Sequence, residues 1–430
     1  MVKCIPSVSL DKMRKNSYDI LILFSDQTII RFRPPHTWQT GRMEGIMVTG
    51  SKELIRDMNR HLILAEIINK GPLSRAAIAK ESGLTKATVS AIVQTLLDEQ
   101  LVTEIGSDDT SRGRKPILLS FCQEAGCILS VDLGVDHITA LTADLKGEHC
   151  RLRQYPNHFK REQLTEGLLT IMESSMRELP PSPYGVVGIS IGIHGVVHHN
   201  HISFTPYYDY AGLDLAAAVS SRFSIPVILE NEANLSIIGE KAFCYNYPNM
   251  AGISVHSGIG MGLIVDGKLY TGCSGCAGEF GHTIVEADGR PCPCGNHGCL
   301  EQYASERALL QEYVRRKGLS HISAETFMDA CAKSDPDAVL LLEQFVKYMS
   351  IGINNILNVF NPDVIVINSA FTVYSKEIMK QLENRLENRM RRYCRILPSG
   401  LQDSSILLGG VYLSTRNFLG IDELQLKSVI

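Results

Sequence analysis

Gly278–Ser305 reads GEFGHTIVEADGRPCPCGNHGCLEQYAS and places His282, Cys292, Cys294 and Cys299 close together in the chain. All four side chains are good ligands for a borderline-soft divalent ion. One His with three Cys closes a tetrahedron, the structural kind of zinc site with no position left for water. Gly295 and Gly298 let the chain fold back between Cys294 and Cys299. Two carboxylates, Glu279 and Glu301, bracket the cluster. They exceed what the metal needs and are placed to face a polar ligand. The competing reading is a set of buried or free thiols in a reducing cytoplasm.

At this point the chain resembles the ROK family of sugar-responsive repressors and sugar kinases. GEFGH followed by CxCGxxGCLE is similar to that family's signature, with the same His-to-Cys and Cys-to-Cys spacings. The resemblance runs from about Ser51 to the C-terminus. It implies an α/β body with the two-lobed, actin-like ATPase fold of sugar kinases and a ligand held between the lobes. It leaves repressor and kinase both open.

The 430 residues suffice for two or three domains. Apolar residues at 44% and charged residues at 20% are ordinary for a globular protein. A net charge of -4 excludes blanket coating of nucleic acid but not a small module with local positive charge. No apolar run reaches the roughly 18 residues of a membrane span. Twelve Cys, three of them clustered with a His, favour a reduced, cytoplasmic protein over a disulfide scaffold. Residues 1–50 form a leader with a basic start and a short apolar stretch, Ile20 to Phe24, which Asp26 interrupts. No small-residue cleavage site follows, so export is not expected. The leader is expected to be disordered or a start-site extension, with Met43 and Met47 standing just before the resemblance begins.

Residues 51–122 read as a winged helix-turn-helix. Leu54, Met58, Leu62, Ile63, Ile67 and Ile68 recur at helical spacing until Asn69-Lys70-Gly71-Pro72 stops the helix. Ser74 caps a short second helix, Gly83 supplies the turn, and Thr85 caps a third. Thr85, Lys86, Thr88 and Ser90 are short or basic hydrogen-bonding side chains at the start of that third helix, suited to groove and phosphate contact. Leu101–Ile105 and Ile117–Leu119 read as wing strands, with Arg112, Arg114 and Lys115 at a basic tip. The tip is similar to the Gly-Arg-Lys-Pro wing of ROK repressors. The competing reading of the block is a helical linker or dimerisation module.

Residues 123–430 alternate apolar strands and amphipathic helices, as two α/β lobes around a cleft require. Expected strands are Ile128–Leu133, Ile138–Asp144, Val186–Ile191, Val227–Glu230, Ala251–Val255, Met261–Val265, Val364–Asn368 and Ile406–Leu408, with a helix near Glu162–Glu178.

The resemblance implies a comparison with the family's kinases. They open with Asp-x-Gly-Gly-Thr; here Asp132-Leu133-Gly134-Val135-Asp136 puts a branched side chain and a carboxylate where Gly and Thr approach phosphate. The second phosphate loop, His256–Gly262, is better preserved, with a strand-turn-strand hinge as its competing reading, whereas Asn368-Ser369-Ala370-Phe371 replaces the Gly-Gly turn beside adenine. Glu232 stands where the kinases carry the Asp base, with about one methylene, roughly 1.5 Å, of extra reach, which misplaces a proton acceptor. The competing role for Glu232 is a helix N-terminal acid. The implied sugar contacts are Gly195, Asn231, Glu232, Glu279, His282 and Glu301. His194 replaces the usual Pro, and Tyr207 stands where an Asn is usual, so a smaller sugar such as a pentose fits. Cys273 and Cys276 read as free thiols, and His198, His199 and His201 as a solvent-exposed turn.

The expected function is a sugar-responsive, non-enzymatic repressor of carbohydrate genes, with xylose-responsive members of the family the nearest pattern. It would bind operator DNA as a homodimer or dimer of dimers, carry structural Zn2+, and leave DNA when sugar binds. An ATP-dependent sugar kinase with an added domain is the alternative. A regulator acting only through protein partners is the third reading.

Overall fold

Two five-stranded sheets, each built from short apolar runs, face each other across a pair of helices. The computed structural model describes residues 20–23, 29–32, 52–107, 117–206, 208–387 and 389–426. In the leader, β1 (Ile20–Leu23) and β2 (Ile29–Phe32) pair antiparallel, a strand pair not read from the sequence. The rest of the leader lies outside the described residues.

The next elements are α1 (Lys52–Lys70), β3 (Leu73–Ser74), α2 (Arg75–Ser82), α3 (Lys86–Asp98), β4 (Val102–Ser107) and β5 (Ile117–Phe121). Ser74 caps α2 by accepting from the Ala77 N–H, and Gly83 ends it in the left-handed region at φ 70°. Thr85 caps α3 by accepting from the Thr88 N–H. The β3-β5-β4 sheet is the wing base, and β3 joins it from the two residues just before α2, where the sequence marks only the Ser74 cap. Ile63, Leu64, Ile78, Val89, Val93 and Leu96 are all fully buried between these helices. Residues 108–116, and with them Arg112, Arg114 and Lys115, lie outside the described residues.

The first lobe contains β6 (Cys127–Leu133), β7 (His137–Asp144), β8 (Arg151–Pro156), α4 (Arg161–Met176), β9 (Val186–Ile193), a small hairpin β10 (Val196–His198) and β11 (His201–Phe204), α5 (Leu215–Phe223) and β12 (Val227–Asn231). Its sheet order is β12-β9-β6-β7-β8. β12, β9 and β6 run parallel, in a register that sets Asn231, Ile193 and Leu133 abreast at their carboxyl ends. Ligands of open α/β sheets bind outside that end.

α6 (Glu232–Phe243) leads into the second lobe: β13 (Met250–Val255), β14 (Ile259–Val265), β15 (Lys268–Leu269), α7 (Glu301–Ala304), α8 (Glu306–Lys317), α9 (Ala324–Ala332), α10 (Pro336–Val359), β16 (Val364–Ser369), α11 (Ala370–Tyr374), α12 (Lys376–Asn384) and β17 (Arg395–Pro398). The order is β15-β14-β13-β16-β17, with β13, β16 and β17 parallel. α13 (Ser405–Leu419) closes the fold. It lies on β6 and β9 of the first sheet while α6 lies on β13 and β14 of the second, and the two helices pack on each other.

The strand expected at Ile406–Leu408 is therefore corrected to the first turn of α13. The reason is physical. A helix covered on several sides is apolar nearly all round, and a short apolar run then carries no period that separates helix from strand. The other expected strands form within a few residues of their expected bounds.

The winged helix is seated on this body by more than its connector. Ile63, Ile67 and Leu96 share one apolar cluster with Leu407, Val411 and Leu419 of α13 and with Leu424 and Leu426 beyond it. The Gln425 N–H donates to Asn69 Oδ1 at 2.8 Å, and the Tyr184 hydroxyl donates to the Glu99 carbonyl at 2.8 Å.

Candidate functional site

The cleft between the lobes is a small cavity of about 70 Å³ that opens to solvent. Gly195, Asn231, Glu232, Glu279, His282 and Glu301 all line it, together with His194, Ser254, His256 and Ser257. Gly195 is required by close approach, since a Cβ there would strike the Phe204 carbonyl oxygen. Glu232 is the first residue of α6, and burial raises its carboxyl pKa above the usual range, opposed by the charge of His194. Tyr207 lies outside the described residues.

Asn231 lines the cleft, but its side chain is spent on the protein. Its Nδ2 donates to the Gly195 carbonyl at 2.9 Å and to Glu232 Oε2 at 2.7 Å. Its Oδ1 accepts from the N–H groups of Ala233 and Asn234 at 2.9 and 3.1 Å, which makes it the cap of α6. An amide has two hydrogens and two lone pairs to give, and all four are used. In this arrangement Asn231 positions Glu232 and Gly195.

Sequence reasoning noted His194 as a departure but read no role from it. The ring follows the end of β9, and its Nε2 lies 2.8 Å from Asp132 Oδ1 at the end of β6. Burial lowers its pKa, but the Asp132 charge, the Asp132 hydrogen bond and the Glu232 charge outweigh that and raise it to about 9. The Tyr208 hydroxyl accepts from the His194 backbone N–H at 3.2 Å and donates to the Leu133 carbonyl at 2.9 Å. Only pairing in the folded sheet brings residues 132, 194 and 208 together, so no local signal marked them.

The four soft-ligand side chains meet as expected. One ligand atom from each of His282, Cys292, Cys294 and Cys299 lies within 4.8 Å of every other, the one such group of His, Cys and acidic residues among the described residues. Cys292 Sγ is 3.5 Å from His282 Nδ1, and Cys294 Sγ is 3.6 Å from Cys299 Sγ. A tetrahedral zinc with Zn–S bonds of about 2.3 Å needs sulfur atoms about 3.8 Å apart, so the donor set fits that ion. Gly298, at φ 78°, allows the return turn, where a Cβ would strike the Glu286 carbonyl. The opposite edge of the His282 ring, Nε2, lies 3.7 Å from Glu279 Oε2. Glu301 Oε1 faces the cluster, 3.3 Å from Cys292 Sγ. Cys273 and Cys276 are exposed and free, and His198, His199 and His201 sit at the β10–β11 turn.

At the nucleotide-like loops, Asp132 is held by His194, as above. The Ser369 hydroxyl and the Ala370 N–H both donate to Glu306 Oε1, at 2.9 and 2.6 Å. An internal carboxylate thus takes the donors at the start of α11.

On the DNA-facing candidate, Thr85, Lys86 and Ser90 are exposed and Thr88 is half-buried. The hydroxyls of Thr85 and Thr88 lie 2.9 Å apart. Gln94 shares this exposed face one turn beyond Ser90, a position the i, i+4 spacing marks but sequence reasoning passed over.

A winged helix-turn-helix on a two-lobed body with an acidic interlobe cleft defines the class as a ligand-sensing DNA-binding regulator built on a sugar-kinase-like fold. The profile of the ROK family matches residues 128–417, and that of the MarR family matches residues 57–113. The chain belongs to the ROK family. It is 34% identical over 383 residues to the xylose repressor of Bacillus spizizenii, a match covering 87% of this chain and 99% of that one. It is 27% identical over 352 residues to the DNA-binding transcriptional dual regulator NagC of Escherichia coli, covering 78% of this chain and 86% of that one. The crystal structure of a ROK family transcriptional regulator, a homolog of the E. coli MLC protein, superposes with a TM-score of 0.73 at 26% identity, covering 85% of this chain and 97% of that one. Among the described residues, no helix is long and apolar enough to cross a membrane.

Proposed function

We propose that this chain is a sugar-responsive transcriptional repressor of carbohydrate-utilisation genes, with a pentose of the D-xylose type as its effector. The observation that carries the reading is the shared apolar core of the winged helix and α13, the helix that packs on α6, whose first residue Glu232 lines the cleft. The cleft and the DNA-contacting helix are then parts of one packed body. Gly195, Glu232, Glu279, His282 and Glu301 contact the sugar, and Asn231 orients Gly195 and Glu232. Thr85, Lys86, Thr88 and Ser90 contact the operator, with Arg112, Arg114 and Lys115 of the wing. His282, Cys292, Cys294 and Cys299 hold a structural Zn2+, which fixes the loop that carries Glu279 and one edge of His282 toward the cleft. The domains are residues 51–122 for DNA and 123–430 for sugar, and the protein works as a homodimer in the cytoplasm.

Phosphoryl transfer is disfavoured on this chain's own residues. Val135 and Asp136 crowd the first phosphate loop, His194 holds Asp132, and Glu306 takes the donors of Ser369 and Ala370.

A ligand shifts an equilibrium only by its differential affinity for the two states. Saturating D-xylose is expected to weaken operator binding about 5- to 150-fold, a coupling of roughly 1–3 kcal/mol, and the operator must weaken D-xylose binding by the same factor. Fluorescence anisotropy on operator DNA, paired with calorimetry of D-xylose with and without operator, measures both. Equal D-xylose affinity in the two conditions rejects the coupled switch, and ATP-dependent phosphorylation of D-xylose or D-glucose restores the kinase reading. Converting Arg112, Arg114 and Lys115 together to Ala is expected to weaken binding to all DNA sequences and to reduce the log–log salt slope by about 2 to 3. An unchanged slope removes the wing from the interface.

A further inference from the structure

The cleft is rich in acceptors, and the side-chain donors that line it are His194, His256, His282, Ser254 and Ser257. Glu232, Glu279 and Glu301 only accept hydrogen bonds when ionised, and the amide hydrogens of Asn231 are already committed to Gly195 and Glu232. A sugar hydroxyl satisfies a carboxylate by donating to it. The ring oxygen of a pyranose has no hydrogen, and it needs a donor from the protein.

We propose that His194 is the specificity-determining donor of this cleft, reading the acceptor-only oxygen of a cyclic sugar through the ring nitrogen that Asp132 does not use. This rests on the sugar-effector reading above. Three observations carry it. His194 lines the cleft. Its Nε2 is fixed on Asp132 Oδ1 at 2.8 Å, which sets the ring plane, and no other ring hydrogen bond of His194 is present among the described residues. Its backbone is pinned by the Tyr208 hydroxyl, itself anchored to the Leu133 carbonyl, so the ring is preorganised. Asp132 and Glu232 keep the ring cationic at neutral pH, with its pKa raised to about 9, and both nitrogens then carry hydrogen. A charged donor makes a stronger hydrogen bond than a neutral one, and it discriminates by leaving a desolvated charge unpaired when the acceptor is missing.

D-xylose and its carba analogue, in which a CH2 group replaces the ring oxygen, separate this role from a general packing role. Both present the same hydroxyls on a six-membered ring, but only the sugar has the acceptor-only oxygen. Calorimetry of the full-length protein is expected to show D-xylose bound about ten-fold or more tighter than the carba analogue, the difference a charge-assisted hydrogen bond supplies. His194→Gln is expected to lose most of that ratio. Asp132→Asn, which removes the charge partner while leaving the ring, is expected to lower the ratio in the same direction and decides the matter if His194→Gln does not fold. A packing role would weaken both ligands together and leave the ratio in place. An unchanged ratio in the folded variants, or equal binding of the two ligands by the wild type, overturns the proposal. Wild-type protein that binds neither ligand removes the D-xylose effector reading, and the proposal falls with it.

Discussion

Cys294→Ser is expected to lose the proposed zinc and to abolish the response to D-xylose while weakening the second lobe. The residues between Phe280 and Glu301 contain little regular structure: a single 3-10 turn at Phe280–His282 and isolated bridges at Ile284–Cys299 and Pro291–His297. A segment of that kind would depend on the proposed zinc for its order, and structural zinc binding is folding free energy, about 10–16 kcal/mol for small zinc peptides. Here the lobe keeps its own core around Phe327, Phe345 and Phe371, so the loss is a fraction of that figure. A destabilisation on the order of 4 kcal/mol is expected. Glu279 and His282 share the metal loop, and they line the cleft 3.7 Å apart. Losing the metal therefore disorders the ligand site as well as the loop. Zinc content by mass spectrometry, a denaturation curve and a D-xylose titration test this together. A zinc-free variant with wild-type stability and full sugar response would refute it.

Gly409→Val is expected to cost about 3 kcal/mol and to break the link between cleft and winged helix. A Cβ on Gly409 would be driven into the Leu235 carbonyl oxygen, and one on Gly239 into the Ser405 carbonyl oxygen. The obstacle in each case is backbone, which a rotamer change does not relieve. The helices must separate, and the Ser236–Ser405 hydroxyl contact at 2.9 Å is lost with them. α6 begins at Glu232 in the cleft, and the chain beyond α13 packs on α1 of the DNA module. Separation at this crossing therefore moves the two ends of the switch independently. Gly409→Ala should show the same sign with a smaller magnitude. The readouts are the urea midpoint and the D-xylose concentration that half-releases operator. A variant with both values unchanged would show that the crossing carries neither stability nor coupling.

Much of the plan of this protein is local and so is legible in the chain. Capping residues, a turn Gly and helical spacing mark the helix-turn-helix, because each depends on neighbours within a few positions. The four soft ligands lie within one segment, and their chemistry identifies the cluster before any fold is known. Gly195, Asn231, Glu232, Glu279 and Glu301 are reached through the family resemblance, and the fold brings all five to one cleft. What the chain could not declare is long-range. Ile406–Leu408 has the composition of a buried strand, and only its place between two sheets makes it helix. Asn231 has the chemistry of a sugar ligand, yet its atoms are consumed by neighbours whose positions follow from strand register. His194 acquires its charge from Asp132, 62 positions earlier in the chain, and its orientation from the hydroxyl of Tyr208. The contact between the DNA module and the body is also long-range, since α13 and the chain to Leu426 share an apolar core with the winged helix. Residue type and short spacing determine caps, turns and a metal cluster. Hydrogen-bond saturation, charge state and the route between sites depend on which distant groups end up in contact, and only packing settles that.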